Sequence, residues 1–436
     1  MRLRDLLEID YVLLLAAVVL AVFGVLFIYS SGVTSTGVLV SEEYIRQIIW
    51  DIAGLVIVLV LAMVDYRRIR GLAFYLYLGT LALLVYAYLF GKEVNGARAW
   101  LGIGSFGIQP SEFAKITTIL FLARYLDDTR RSPKSFSRFI VSCLIVFVPM
   151  GIILIQPDFG TSLVFIPILV IMAFVAGVSM QYIVFLGACI STTAVLTVLP
   201  LWQRDIMRNA MPSLEILANP RFIQSAMVAL GFIAAIALAG FLLYKKRYFF
   251  WILYGSMIVI LSLGLSYVAR RVLKDYQIKR LIVFLDPDVD PQGAGWHIIQ
   301  SITAIGSGGL AGKGYLRGTQ SHYRFLPQQS TDFIFSIFTE EWGLLGGLLV
   351  FVLFLLICLR LLRITRITAD PFGAYIAAGL AGVYVFHFLV NVGMTMGIMP
   401  ITGIPLLFMS YGGSAVFSAM TGIGLALSIY VRRYTH

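Results

Sequence analysis

The chain has 436 residues, of which 60% are hydrophobic and 13% are charged, and its formal net charge is +11. Soluble domains carry about 25% charged residues, and most apolar runs here are long enough to cross a bilayer, so this composition excludes a soluble globular protein. The excess positive charge lies mainly in loops between the apolar runs, so it indicates membrane topology and does not predict a nucleic-acid partner.

Twelve apolar segments are predicted to be membrane-spanning helices. The first is long enough to span, and no clear small-residue cleavage site ends it, so it is predicted to be a membrane helix rather than a cleaved signal peptide. Two of the later segments are joined only by the basic run Lys245-Lys246-Arg247. The predicted spans are 11–31, 46–64, 72–90, 111–126, 138–155, 160–177, 181–200, 225–244, 248–269, 334–359, 373–396 and 403–431.

The positions of Lys and Arg predict the orientation of these helices. If the N-terminus is cytoplasmic, the basic clusters Arg67–Arg70, Lys245–Arg247 and Arg432-Arg433 all fall on the cytoplasmic side, as the positive-inside rule requires. An even number of spans returns the C-terminus to the cytoplasm. The sequence therefore predicts an all-α polytopic membrane protein, a single integral membrane domain over 1–436 with both termini cytoplasmic.

The second predicted outer loop carries polar residues that lead into a helix. Arg98 and Trp100 lie in its first part, and Pro110-Ser111 followed by Glu112 is typical of a helix N-terminus. Glu112 and Lys115 are three residues apart, so they share one helix face. They are predicted either to form a salt bridge that fixes helix packing or to line a polar substrate cavity in which Lys115 meets a phosphate.

Two further polar motifs are interpreted as structural. Gln156-Pro157-Asp158 is typical of a helix cap. The glycine-rich run Gly306–Gly314 invites comparison with a nucleotide-binding loop, but Ser307 replaces the required first glycine and Gly314 replaces the Ser or Thr required after Lys313. This run is therefore predicted to be a bent, closely packed re-entrant loop.

A long loop at 270–333 is predicted to be extracytoplasmic and is rich in basic residues. Long translocated loops escape the positive-inside rule, so these residues do not contradict the topology. Two interpretations remain open: contact with lipid headgroups, or capture of a phosphorylated lipid through charge-assisted hydrogen bonds. The basic residues are Arg270, Arg271, Lys274, Lys279, Arg280, Lys313, Arg317 and Arg324.

Asp332 lies at the end of this loop, directly before a long apolar helix. A carboxylate at the edge of the membrane is costly to bury and therefore calls for a reason. Asp332 is predicted to cap the helix that begins near Phe333, to pair with a loop arginine, or to act as a general base. Glu340 and Glu341 follow within the helix and are interpreted as holding it to its neighbours.

The last part of the chain contains helix-breaking residues inside an apolar stretch. Asn391 precedes the run Gly397–Pro405, and Ser410 begins the motif Ser410–Ala415. Broken backbone at membrane depth is tolerated where it is buried in protein or lines a cavity. The pattern therefore predicts either a cavity wall or tight helix packing through small residues.

Taken together, these motifs resemble the SEDS family (shape, elongation, division and sporulation), the RodA/FtsW membrane proteins. Gly318–Ser321 and Gly403–Pro405 resemble the elongation branch of that family more than its division branch. The motifs that carry the resemblance are Arg46-Gln47, Gly96 to Lys115, Gln156 to Ser162, Leu285 to Glu341, and Asn391 to Ala415.

The resemblance implies a peptidoglycan glycosyltransferase of the bacterial inner membrane that polymerises lipid II for rod-shape cell wall elongation. The acidic residue of the family's Thr-Asp-Phe motif is required for polymerisation and matches Asp332. The other residues assigned to substrate binding are Arg46, Arg98, Trp100, Glu112, Lys115, Lys313, Gln320, Asn391 and Ser410.

The resemblance also implies partners and a difference in architecture. Family members usually have ten spans, so the segments 225–244 and 248–269 are interpreted as an inserted transmembrane hairpin within 201–270. The expected partners are a class B penicillin-binding protein, which is a transpeptidase, and other membrane proteins of the elongation complex. No cofactor is assigned; the four histidines have no metal-ligand spacing, and a divalent cation at the pyrophosphate is one candidate.

The implied reaction is a single inverting displacement that forms a β-1,4 glycan and releases undecaprenyl pyrophosphate. Asp332 would accept the proton of the attacking 4-hydroxyl group, while Lys115, Arg98, a loop arginine or a metal ion would neutralise the leaving group. A lipid II flippase and a non-catalytic scaffold remain as alternatives. Polar residues in broken spans also fit a transporter, whereas a scaffold predicts that Asp332 is dispensable.

Overall fold

The chain folds mainly into α-helices, as its apolar runs predict. In the computed structural model, ten helices among the described residues are long and apolar enough to cross a membrane. Several are longer than the apolar segment that predicted them; the predicted span 334–359, for example, runs from Ile334 to Ile367. The structure describes residues 8–94, 97–103, 106–205, 219–272, 275–291 and 293–434.

The helices are numbered here in chain order, and a short 3-10 helix at Pro287–Val289 is left unnumbered. They are α1 (Tyr11–Gly32), α2 (Glu43–Met63), α3 (Arg67–Phe90), α4 (Pro110–Asp128), α5 (Phe136–Ile155), α6 (Phe159–Leu163), α7 (Phe165–Val175), α8 (Met180–Asp205), α9 (Pro220–Tyr244), α10 (Arg247–Val272), α11 (Asp275–Leu285), α12 (Ala294–Ser307), α13 (Thr319–His322), α14 (Ile334–Ile367), α15 (Pro371–Thr395) and α16 (Gly413–Val431).

Two of the twelve predicted spans are not among the ten candidate spans, and the helix predicted at 403–431 begins only at Gly413. The segment predicted at 111–126 forms α4, but this helix is not apolar enough to count as a span because it carries buried charged residues such as Glu112 and Lys115. The segment predicted at 160–177 is divided into the short helices α6 and α7. The number of membrane crossings therefore stays a prediction, whereas ten candidate spans are found in the described ranges.

A small β-sheet in the second predicted outer loop departs from the all-α expectation. Strands β1 (Lys92–Val94), β2 (Ala97–Ile103) and β3 (Phe106–Ile108) pair in antiparallel order. Along β2 the exposed Arg98 alternates with the buried Ala99, the period of two that a strand produces. The strands that pair with β2 have only three residues each, too short a pattern to be recognised in the sequence.

The predicted loop 270–333 contains helices as well as turns. It includes α11, α12 and α13. The glycine-rich run Gly306–Gly314 is closely packed, as predicted: Lys313 donates its backbone N–H to the Glu340 carbonyl at 3.1 Å. Gly312 and Gly343 both have positive φ angles, and a side chain at either position would collide with the backbone of the other segment.

The chain contacts define two compact units. The first comprises Met1–Val178 and His297–His436 and contains every residue predicted for the site. In it, α15 packs against α14, α7 and α4, which places the polar residues of α4 inside protein instead of lipid.

The second unit comprises Ser179–Trp296, and in it α9 and α10 pack against each other as the predicted hairpin. Ser262 Oγ on α10 donates to the Cys189 carbonyl of α8 at 3.2 Å. Parts of three predicted regions lie outside the described residues: Gly96 of the second outer loop, 206–218 of the predicted insertion and Lys274 of the predicted loop 270–333.

Candidate active site

Asp332 is half-buried directly before the N-terminus of α14. The helix begins at Ile334, and its N-cap residue is Phe333, which makes no side-chain capping bond, so Asp332 does not occupy the N-cap position predicted for it. The backbone N–H of Asp332 donates to the Gln328 carbonyl at 3.2 Å, and its carbonyl accepts from Asn391 Nδ2 at 3.0 Å. The main chain of the acid is therefore held on both sides.

The residues just before Asp332 are fixed from two other parts of the unit. Ser330 Oγ donates to Glu43 Oε2 on α2 at 2.6 Å, and the Ser330 carbonyl accepts from the Tyr411 backbone N–H at 2.8 Å. On the other side, the Phe333 ring stacks on His297, with centroids 6.0 Å apart and planes 8° apart. This packing fixes the backbone from which the Asp332 side chain projects, and catalytic groups need such fixed positions.

Asn391 joins this segment to the broken backbone near the C-terminus. Its side chain is fully buried, and Nδ2 donates to the Ile404 carbonyl at 2.8 Å as well as to Asp332. The other amide atom, Oδ1, has no hydrogen-bond partner among the described residues. Asn391, assigned to substrate binding from the sequence, thus holds two backbone segments together.

Ser410 closes a turn in that same broken segment. Its Oγ accepts from the Leu406 backbone N–H at 2.8 Å, and its own N–H donates to the Leu406 carbonyl at 2.9 Å. Phe408 within the turn has a φ of 68°, a conformation uncommon for a residue with a side chain. Ser410, which is 2% exposed, shapes this backbone instead of facing an open cavity.

Lys313 and Gln320 meet at the carboxylate of Glu340. This carboxylate is fully buried and accepts from Lys313 Nζ at 2.7 Å and from the backbone N–H groups of Thr319 at 2.8 Å and Gln320 at 3.0 Å. The Lys313 ammonium therefore has an internal counter-charge, and Gln320 contributes its main chain. Sequence reasoning could not place either contact, because Glu340 is distant along the chain.

Glu341 binds the same loop one residue further along α14. It accepts from Ser30 Oγ on α1 and from the Leu316 backbone N–H at 3.0 Å. Burial and, secondly, the Glu341 carboxylate raise the pKa of Tyr315 to about 12, so its hydroxyl stays a donor to the Leu26 carbonyl at 3.0 Å. The expectation that Glu340 and Glu341 hold this helix to its neighbours is confirmed by these contacts.

Glu112 and Lys115 form an ion pair inside the protein. Both are at most 2% exposed, and Lys115 Nζ lies 2.8 Å from a Glu112 carboxylate oxygen. The same ammonium lies 3.0 Å from His387 Nε2. Of the two interpretations, the salt bridge is what the structure shows. Sequence reasoning missed His387, whose only signal is its place one helical turn before Asn391.

Three predicted residues lie on the surface of the unit. Arg98 is exposed and pairs with Glu93 at 3.5 Å, and Trp100 packs against Gly107 of β3. Arg46 on α2 is half-buried, and within the described part of the chain its side chain makes no hydrogen bond or ion pair. It lies three residues after Glu43, so it shares the helix face that contacts Ser330.

The predicted cap at Asp158 is confirmed: its side chain accepts from the Thr161 backbone N–H at 3.2 Å at the start of α6. Within the described ranges, no group of three side chains of the metal-ligating types is close enough to hold an ion.

The chain is similar to known proteins over nearly its whole length. The FtsW/RodA/SpoVE family model, described as a cell cycle protein, matches residues 11–210 and 205–435. A protein named peptidoglycan glycosyltransferase RodA from Treponema pallidum is 49% identical over 433 residues, which cover 99% of this chain and all of that protein. MrdB of Escherichia coli K12, also named a peptidoglycan glycosyltransferase, is 33% identical and covers 98% of this chain and 95% of its own length.

Solved structures share the fold over nearly the whole chain. One comes from work on structural coordination of polymerization and crosslinking by a peptidoglycan synthase complex; it has a TM-score of 0.66 and 26% identity, and the match covers 98% of this chain and 99% of that one. The rod shape determining protein RodA of Thermus thermophilus has a TM-score of 0.61 and 23% identity, with 98% of each chain covered. The chain therefore belongs to the FtsW/RodA/SpoVE family of cell cycle proteins, as its sequence motifs indicated.

Proposed function

We propose that this protein is a peptidoglycan glycosyltransferase that polymerises lipid II for rod-shape elongation of the cell wall. The full-length relatives named peptidoglycan glycosyltransferase support this activity. The observation that carries the assignment to a site is the half-buried Asp332, whose main chain is held by Gln328 and Asn391. A carboxylate at such a position is suited to general-base catalysis because the main chain that carries it is held in place.

The chemistry requires one base and one place for a negatively charged leaving group. Asp332 accepts the proton of the 4-hydroxyl group of the acceptor sugar as that oxygen attacks the anomeric carbon of the donor. The new C–O bond forms on the face opposite the bond to pyrophosphate, so the α-linked donor gives a β-1,4 product. Undecaprenyl pyrophosphate leaves with the electron pair of the broken C–O bond.

Of the four cations assigned to substrate binding, Arg46 is the best suited to stabilise the pyrophosphate. It shares a helix face with Glu43, which binds Ser330 two residues before Asp332. The other predicted cations are less suited: Lys115 and Lys313 have buried carboxylate partners, and Arg98 pairs with Glu93. Since the Arg46 guanidinium has no partner in the described part of the chain, it can give both of its terminal N–H groups to phosphate oxygens.

The orientation and partner follow from the same proposal. The loop that carries Asp332 lies on the extracytoplasmic side of the inner membrane, where peptidoglycan is assembled, and both termini are cytoplasmic. The neighbour described as part of a peptidoglycan synthase complex supports a class B penicillin-binding protein as partner. That partner would cross-link the strands that this chain polymerises.

In the experiment, fluorescent lipid II is added to purified protein, either alone or together with the partner transpeptidase. The glycan strands that form are resolved on a gel. We expect Asp332→Asn to reduce the polymerisation rate by about 10²–10⁴-fold, the usual contribution of a general base. Glu42→Gln, an exposed carboxylate near the start of α2, is the matched control and should keep wild-type activity.

Two results would contradict the proposal. Normal polymer from Asp332→Asn would remove Asp332 from the chemistry and favour a scaffold role. Movement of lipid II across vesicles by the wild type, without any polymer, would favour the flippase.

A further inference from the structure

His387 connects the buried ion pair of α4 to the broken segment near the C-terminus. Lys115 Nζ lies 2.8 Å from Glu112 Oε1 and 3.0 Å from His387 Nε2, and His387 Nδ1 lies 3.0 Å from the Pro405 carbonyl oxygen. All three side chains are at most 2% exposed. The catalytic scheme above uses none of these three residues, so their arrangement needs another explanation.

The partners of the imidazole determine where its proton lies. A carbonyl oxygen only accepts hydrogen bonds, so Nδ1 must carry the hydrogen that reaches Pro405. An ammonium group only donates, so Nε2 must be the acceptor for Lys115. The ring is therefore neutral with its hydrogen on Nδ1, and the Lys115 charge, balanced by Glu112, excludes the other tautomer.

His387 binds the backbone directly next to the residue that Asn391 binds. His387 and Asn391 are four residues apart on α15, so they share one face of the helix. Their acceptors are the adjacent carbonyls of Pro405 and Ile404. Residues 401–406 form no helix or strand, so the carbonyls of Ile404 and Pro405 lack the backbone partners of regular secondary structure. The side chains of Asn391 and His387 supply those hydrogen bonds instead.

Asn391 then extends the same connection to the acid. Its amide nitrogen donates both to the Ile404 carbonyl at 2.8 Å and to the Asp332 carbonyl at 3.0 Å. A shift of the 404–405 backbone would therefore displace the Asn391 amide group, which also binds the Asp332 carbonyl. Proline has no N–H, so its carbonyl is the only backbone group through which residue 405 can be hydrogen-bonded.

We propose that His387, held as its Nδ1–H tautomer by Lys115, is a positioning residue: it fixes the 404–405 backbone and, through Asn391, the main chain of Asp332. The proposal rests on the proposed function of Asp332 for its effect on polymerisation. It assigns the buried Glu112–Lys115 pair a role other than substrate binding, namely to determine the proton position on a histidine of another helix.

The first test measures the tautomer directly and needs no substrate. Full-length protein labelled with ¹⁵N-histidine is placed in lipid nanodiscs, and the His387 signals are identified by their loss in His387→Asn. We expect one protonated nitrogen and one bare nitrogen, with the hydrogen on Nδ1. An imidazolium, or a ring with its hydrogen on Nε2, would overturn the proposal whether or not Asp332 is catalytic.

The second test compares two substitutions of similar size. Asn in place of His387 retains an N–H donor near the position of Nδ1, whereas Leu has none. We expect His387→Leu to slow lipid II polymerisation about ten-fold, the effect of one lost buried hydrogen bond, and His387→Asn to recover most of the wild-type rate. Equal rates for the two variants would overturn the proposal, since packing alone would then explain the residue.

The two tests separate this proposal from the function on which it rests. If Asp332→Asn polymerised normally, the catalytic assignment would fail while the tautomer measurement kept its meaning. If Asp332→Asn were inactive and the His387 ring had its hydrogen on Nε2, only the positioning role would fail. Should His387→Leu not fold, the tautomer of the wild type still decides.

Discussion

Asn391 holds Asp332 by its backbone: the side-chain amide of Asn391 donates to the Asp332 carbonyl at 3.0 Å. Because the bond is made to the main chain, it fixes the start of the acid's side chain without using its carboxylate as the acceptor. The same amide donates to the Ile404 carbonyl, so α15, the broken segment and the residues before α14 meet at one side chain.

The first prediction concerns this amide. Asn391→Leu keeps the approximate size of the side chain and removes both donors, which leaves two backbone carbonyls without their bond. Each should cost about 1–3 kcal/mol in the free energy of unfolding, and the polymerisation rate should fall about ten-fold or more as Asp332 loses its fixed position. Thermal unfolding and the lipid II gel assay measure the two effects.

The control for Asn391→Leu is Thr421→Val on α16, which removes one bond to the Phe417 carbonyl within the same helix. That variant should polymerise lipid II at the wild-type rate. An Asn391→Leu protein with wild-type stability and wild-type rate would show that the contact is not required in solution.

The second prediction separates a structural from a substrate-binding role for Lys313. Lys313→Met leaves the buried Glu340 carboxylate without its cation, so we expect a loss of stability of up to about 3–5 kcal/mol, as for other broken buried pairs. The backbone amides of Thr319 and Gln320, which also bind Glu340, should exchange hydrogen faster. Hydrogen exchange read by mass spectrometry checks this directly.

Arg317→Met is the matched control, because Arg317 is exposed and makes no side-chain hydrogen bond or ion pair within the described residues. It should leave stability and amide exchange unchanged. A Lys313→Met protein with normal exchange but a raised KM for lipid II would instead support the substrate contact that the sequence predicted.

The third prediction concerns Arg46. Because this side chain has no partner among the described residues, Arg46→Gln should leave the unfolding temperature unchanged. It should weaken the use of lipid II, by about ten-fold in kcat/KM for one lost charge-assisted contact. Arg98→Gln, which removes an exposed pair with Glu93, should have little effect on either quantity. Equal kinetics for Arg46→Gln and the wild type would remove Arg46 from the proposed leaving-group site.

The sequence predicted what depends on composition and local pattern. Long apolar runs predict the helices, and the place of Asp332 directly before a long apolar helix is visible in the sequence alone. Contacts between distant residues could not be predicted: Ser330 meets Glu43 across 287 positions, and Lys115 meets His387 across 272. Local motifs say that a residue is polar and near a boundary, but only the packed helices show which partner it has.

The same reasoning applies to two residues that stay predictions for substrate binding and that have internal partners in the structure. Lys313 and Ser410 stand in polar motifs that suggest ligand contacts, yet their partners are Glu340 and the Leu406 backbone. A buried backbone must satisfy its own hydrogen bonds before it can bind anything else. In a broken segment at membrane depth, polar side chains are therefore first needed to replace missing secondary structure.

The last prediction concerns the hairpin of α9 and α10. Replacement of residues 205–268 with a short linker should spare polymerisation, because all predicted site residues lie in the other unit. On α8, the Thr197 hydroxyl group would still have a hydrogen-bond partner. It loses its bond to Ser266 Oγ at 3.2 Å but keeps its bond to the Thr193 carbonyl at 2.7 Å. A shortened protein that is folded and monodisperse on size-exclusion chromatography, yet makes no glycan strands, would show that the hairpin is part of the catalytic core and not a peripheral insertion.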